Sequence, residues 1–212
     1  MKSRWLRLAR EVGIKGESAE EIWHGFVAAY GADGRFYHNL NHIQHTLDIA
    51  DQLRDEAVDF TAVQLALWFH DVVYDPRRGD NEAQSAAYAE RVLRPLGVLD
   101  EMLVEVTNLI LATKSHEAPK PDPNIFVILD ADLAILSAPP AQYDAYARAI
   151  RQEYSFVPDE QYVAGRTAVL QKFLARSPFY FTEWMREKGE TAVTQNLNRE
   201  LEGLKKRNTE GR

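Results

Sequence analysis

Cysteine is absent from the 212 residues. That excludes a disulfide framework, thiolate catalysis and cysteine metal ligands, and it fits a reducing cytoplasm, the expected location. Long apolar runs are missing as well: none approaches the ~18 residues a membrane-spanning helix needs, so no membrane association is expected. The basic opening stretch MKSRWLRLAREVG has no apolar segment of the kind a secretory signal carries. Positive charge is in deficit, with a net charge of −7. Duplex nucleic-acid binders usually show a basic stripe, so neither DNA nor RNA duplex is an expected partner. A small phosphorylated substrate needs only one local positive site and stays open. Alternating polar and apolar residues, internal repeats and low-complexity stretches are also lacking. A chain of this length can bury one sizeable core, and the expectation is a single all-α domain over residues 1–212. The sequence assigns no oligomeric state.

What is present is helical periodicity. Ile22, Phe26, Ala29 and Tyr30 share one face behind Ser18 and Glu21, spaced as a capping box. Thr61 and Gln64 repeat that spacing ahead of an apolar run predicted to stay helical to Tyr74. Asn81 reads as the cap of EAQSAAYAERVL, and Leu99, Leu103, Val106 and Ile110 form a further stripe. The segment 115–124, SHEAPKPDPN, is the clearest loop. Helical patterns resume at 125–136, 140–154 and 158–175. A last stripe of Val193, Leu197, Leu201 and Leu204 precedes a polar tail, about 205–212, expected to fray.

Five of the six histidines fall between positions 38 and 116, and ionisable residues interrupt the most apolar runs. His70 and Asp71 sit inside LALWFHDVVY; Asp130 and Asp132 sit inside NIFVILDADLAIL. Burying such groups is costly unless they are paired or bound to a metal. Residues 63–74 are apolar on almost every side, which predicts a central helix and a buried His70–Asp71 pair. Adjacent helical residues point ~100° apart, so both must lean inward to share an ion. Asp130 and Asp132, two apart, cannot both face one ion. Asp132 borders the stripe of Leu129, Leu133 and Leu136, while Asp130 neighbours the less apolar Val127 and Ala134 and reads as a cap or surface residue; the geometry favours Asp132 and leaves both open.

The blocks YHNLNHI, FHDVVYDP, GDNEAQSA and LDADLAIL stand in the order H…HD…D. That order resembles the HD superfamily of metal-dependent phosphohydrolases, and the blocks resemble a bacterial subgroup of it, over roughly residues 30 to 140. The resemblance implies an HD-type helical bundle with a buried metal site. It implies metal ligation by His42, His70, Asp71 and Asp132, and one divalent ion (Mn, Fe, Co, Ni, Zn or Mg) that activates a water for attack on a phosphate ester. The expected substrate is a nucleotide or another small phosphorylated metabolite. Asp75, where a related branch carries Glu-Asp, and Glu82 are candidates for catalytic proton handling. Arg35, Lys114 and His116 are candidates for phosphate binding. His38 and His45 flank His42 at i−4 and i+3 of a continuous helix. Two other readings remain: a non-catalytic metal- or nucleotide-binding HD module, and a dinuclear HD-type oxygenase. The second resembles H…HD…H…H…D, and here only His116 lies between the pair and the final aspartate.

Overall fold

The computed structural model describes residues 1–210, with side chains described through 206. Every regular element among the described residues is helical, as the 3.6-residue periodicity predicts. The chain forms two compact units, Met1–Asp132 and the part from Leu133 onward.

The first unit contains α1 (Lys2–Glu11), α2 (Glu17–Tyr30), α3 (Leu40–Gln52), α4 (Phe60–Phe69), α5 (Asn81–Leu93) and α6 (Asp100–Ala112), and most of α7 (Pro123–Leu133). Its axis is α4. Ala62, Val63, Leu65, Ala66, Leu67, Trp68 and Phe69 are all fully buried, and α4 packs against α1, α3, α5 and α6. Trp5, Phe26, Trp68 and Phe69 form an aromatic nucleus, with ring centroids 4.9 Å apart for Phe26–Phe69 and 5.2 Å for the stacked Phe26–Trp68 pair. The Trp5 indole N–H donates to the Ala19 carbonyl at 2.7 Å, so this large ring leaves no buried donor unmet.

The helix starts differ in detail from the sequence reading. A carboxylate two residues ahead of Thr61 caps α4: the Asp59 side chain accepts from the Ala62 N–H. Helix α2 begins after Gly16 with no side-chain cap, ahead of the Ser18–Glu21 spacing. Asn81 is the first residue of α5, and its amide serves a neighbouring loop instead of its own helix.

More consequential is where α4 stops. The apolar pattern continues to Tyr74, yet the helix ends at Phe69 with His70 as its C-cap. Another turn would have used the Leu67 and Trp68 carbonyls, and side chains take both: His70 Nδ1 lies 2.9 Å from Leu67 O. The Tyr30 hydroxyl donates to Trp68 O at 2.8 Å. The Arg35 guanidinium donates to Asp71 O at 2.6 Å and to Val72 O at 3.0 Å. Helix ends leave carbonyls that need partners; here Tyr30 and Arg35 supply them from more than 30 residues away.

In the second unit α8 (Pro140–Glu153), α9 (Asp159–Leu174) and α10 (Glu183–Glu210) follow a short 3₁₀ segment, Ala134–Ser137. Helix α10 packs on α9 and on that segment. The Asn196 amide donates to Leu136 O at 3.0 Å and Ala138 O at 2.8 Å. Gly189 makes the close approach possible, since a Cβ there would lie 2.7 Å from Tyr180 Cε2. Of the tail expected to fray, residues 205–210 continue α10 and residues 211–212 lie outside the described residues. No single helix among the described residues is long and apolar enough to cross a membrane.

Candidate metal centre

Three backbone events bring the ionisable groups together. Asn39 caps α3, its side chain accepting from Asn41 N at 2.9 Å, and this fixes His42 in the helix's first turn. The early end of α4 places His70 at its C-cap and Asp71 in the turn beyond, so the two are not successive residues of a continuing helix. Asp132 sits one residue before the end of α7. His42 and His70 are 3% and 1% exposed, and the Asp71 and Asp132 side chains 16% and 12%.

Both imidazoles meet both carboxylates. His42 Nε2 lies 3.2 Å from His70 Nε2. Asp71 Oδ2 is 3.4 Å from His42 Nε2 and 3.1 Å from His70 Nε2. Asp132 Oδ1 is 3.3 Å and 3.5 Å from the same two nitrogens. Donor atoms ~2.1 Å from one ion stand ~3.0 Å apart at right angles and ~3.4 Å apart at tetrahedral angles. The observed separations fall in that range. His42, His70 and Asp132 present ligand atoms all within 4.8 Å of one another, a group that can hold a metal ion; Asp71 reaches both imidazoles but stands outside that mutual group.

Proton bookkeeping tests whether a cation fits. His70 Nδ1 lies 2.9 Å from the Leu67 carbonyl, which can only accept, so Nδ1 carries the proton. The neutral ring then turns a bare Nε2 lone pair toward His42 Nε2 and two carboxylates. Such a ring, oriented by a carbonyl behind it, is the usual state of a metal-binding histidine. Without a cation, protons must fill the same role. Burial opposes charge on His42 and His70, but Asp71 and Asp132 outweigh it and hold both imidazole pKa values above the ordinary range. Burial likewise pushes the carboxylates up; His70 (for Asp71) and His116 (for Asp132), with His42 close to both, override it and hold both well below the carboxylate range. Two neutral imidazoles and two carboxylates match the charge of one divalent ion.

The flanking residues divide. Asp130 is 1% exposed on α7, buried where a cap or surface position was expected, and lies outside the converging group. His38 precedes α3 and stacks on Tyr74 with centroids 4.1 Å apart. His45 lies on α3, and burial lowers its pKa. Arg35, besides its bonds to the turn after His70, lies over the Tyr30 and Tyr74 rings. Lys114 donates to Gly79 O at 2.8 Å. His116 Nε2 donates to Asp132 Oδ2 at 3.0 Å. Asp75 accepts from the Arg77 N–H at 2.9 Å, and Glu82 stands in the first turn of α5. Neither carboxylate belongs to the converging group.

Two residues that the sequence reading did not assign to the site support it. Ser85 Oγ accepts from Val73 N at 3.1 Å and donates to Val73 O at 3.2 Å. The Asn81 amide accepts from Asp75 N at 3.1 Å and donates to Asp75 O at 2.9 Å. Four apart, they share a face of α5 and serve the 71–75 loop as a strand would. The spacing N-x-x-x-S inside GDNEAQSA was the available signal. Asn81→Ala and Ser85→Ala should each cost about 1 kcal/mol of stability. Together they should weaken metal binding about 10-fold by loosening Asp71, read by urea denaturation and by Mn²⁺ titration.

A scan against protein-family models finds no match, and comparisons with curated proteins and with solved structures return no significant match.

Proposed function

We propose that the protein is a metal-dependent phosphohydrolase of the HD type, acting in the cytoplasm on a small phosphate ester such as a nucleotide. The observation that carries this reading is the meeting of the His42 and His70 Nε2 atoms with the Asp71 and Asp132 carboxylates, 3.1–3.5 Å apart. The order H…HD…D and the four sequence blocks supply the reaction class. Those four residues would hold one divalent ion, with His116 behind Asp132. When bound, such an ion acidifies a coordinated water and polarises a phosphoryl oxygen.

The chain's own residues supply the rest. The Arg35 and Tyr30 bonds keep the turn after α4 from re-forming helix, so Asp71 stays aimed at the imidazoles. Asp75 and Glu82 are the carboxylates offered for proton transfer to the leaving group or from the water. Lys114, at the solvent-facing end of α6, is offered for phosphate.

The test is elemental analysis of protein purified without chelator, then a panel of nucleotides and simple phosphate esters assayed with Mn²⁺. Phosphate release that chelator abolishes is the expected result. Glu82→Gln or Asp75→Asn should then lower kcat with bound metal unchanged. Stoichiometric metal with no phosphate release across the panel would overturn the hydrolase reading in favour of a non-catalytic binding module.

A further inference from the structure

Among the described residues, one residue other than glycine has a positive φ: His116, at 52°. Its N–H donates to Ala112 O at 3.2 Å, closing the turn that follows α6. Helices commonly end on such a left-handed residue, and the position ordinarily falls to glycine, sometimes to asparagine, because a Cβ is disfavoured there. A residue other than glycine is uncommon in that conformation, histidine being one of the types that adopt it more readily, and such a position invites the question of what the side chain does. The imidazole has a defined partner. Its Nε2 donates to Asp132 Oδ2, while the other oxygen, Oδ1, faces His42 and His70. A carboxylate is free to rotate about its last bond, and a donor fixed on one oxygen removes that freedom. The turn after α6 closes in this conformation, with the ring carried to the back of Asp132.

We infer that His116 is a positioning residue of the metal centre: its left-handed backbone delivers the imidazole that selects which oxygen of Asp132 faces the ion. The inference rests on the metal-binding reading proposed above. It replaces a phosphate-binding role for His116 with one exerted through Asp132. It also accounts for a histidine at a turn that glycine would close with less strain.

The test is Mn²⁺ titration of the full chain, followed by calorimetry and by the electron paramagnetic resonance signal of the bound ion, for the parent, His116→Gly, His116→Asn and His116→Gln. Glycine and asparagine both suit the backbone, so these variants should fold, with helical circular dichroism unchanged. If His116 served only to close the turn after α6, they would bind metal like the parent. The expected result is ~10-fold weaker Mn²⁺ binding in both, with an altered Mn²⁺ spectrum, the scale on which outer partners of metal ligands act. His116→Gln, whose longer amide can donate to Asp132, should recover part of the loss. A parent that binds Mn²⁺ with His116→Gly and His116→Asn equally tight overturns the role of His116 alone. A parent that binds no Mn²⁺ overturns this inference together with the metal reading beneath it.

Discussion

On the proposed metal reading, Asp71→Ala should leave the protein unable to retain a divalent ion. Metal content should fall from about one equivalent per chain to background, with Mn²⁺ binding weakened by more than ~100-fold, since loss of a ligand exceeds the effect of losing an outer partner. The reason is local. Asp71 Oδ2 is within 3.4 Å of both imidazoles, and its removal takes away one of the two charges that balance the ion. Asp132→Ala should do the same, whereas Asp130→Ala should keep the ion although it disturbs a residue 1% exposed. His24, exposed on α2, is the neutral control. Retention should also depend on pH, with a sign that follows from the imidazoles. Only their neutral forms bind metal, and Asp71 and Asp132 hold both pKa values above the ordinary range. Protons therefore displace the ion as pH falls, and affinity recovers as pH rises through those values. Equal metal content in Asp71→Ala and His24→Ala, by elemental analysis, would reject the ligand assignment.

The second large effect lies in the other unit and involves no metal. The Arg166 side chain, 8% exposed, donates to both oxygens of Glu200, at 2.8 Å and 3.0 Å. The Tyr143 hydroxyl donates to the same carboxylate, and Arg166 also reaches the Tyr146 oxygen at 3.3 Å. Burial, then the Glu200 carboxylate, pushes the Tyr143 phenol upward, so it stays a protonated donor. Removing one partner from a buried ion pair leaves the other charge uncompensated and typically costs ~3–5 kcal/mol. Arg166→Met should therefore destabilise the protein by about that much in chemical denaturation. Arg166→Met with Glu200→Leu should recover much of the loss, because an apolar pair of similar volume carries no desolvation penalty. A double variant as unstable as the single one would show that the pair is favourable in itself.

Much of the architecture is readable from local pattern. A stripe at i, i+3, i+4 and i+7 has only one backbone that buries it, so α6 and the middle of α10 follow from Leu103, Val106 and Ile110 and from Val193, Leu197, Leu201 and Leu204. Ionisable residues inside apolar runs announce a polar centre, because their burial requires partners. His70, Asp71 and Asp132 stand out for that reason before any coordinates are known, and the spacing argument that set Asp132 against Asp130 is local too.

Other features depended on partners far away in sequence. The apolar run through Tyr74 reads as uninterrupted helix, since nothing near Phe69 is a helix breaker. The helix ends there because Tyr30, 38 residues away, takes the Trp68 carbonyl, while Arg35 holds the Asp71 and Val72 carbonyls of the turn beyond. That arrangement turns His70 and Asp71 from neighbours on diverging helix faces into two groups that both meet the His42 imidazole. Ser85 and Asn81 act through the same kind of contact, bonding loop backbone that carries no sequence signature of its own. His116 meets Asp132 across 16 residues, and Arg166 meets Glu200 across 34. Side-chain periodicity records which face of a helix is buried. It does not record where a backbone hydrogen bond is taken over by a distant donor, and in this protein those takeovers end α4 and aim Asp71.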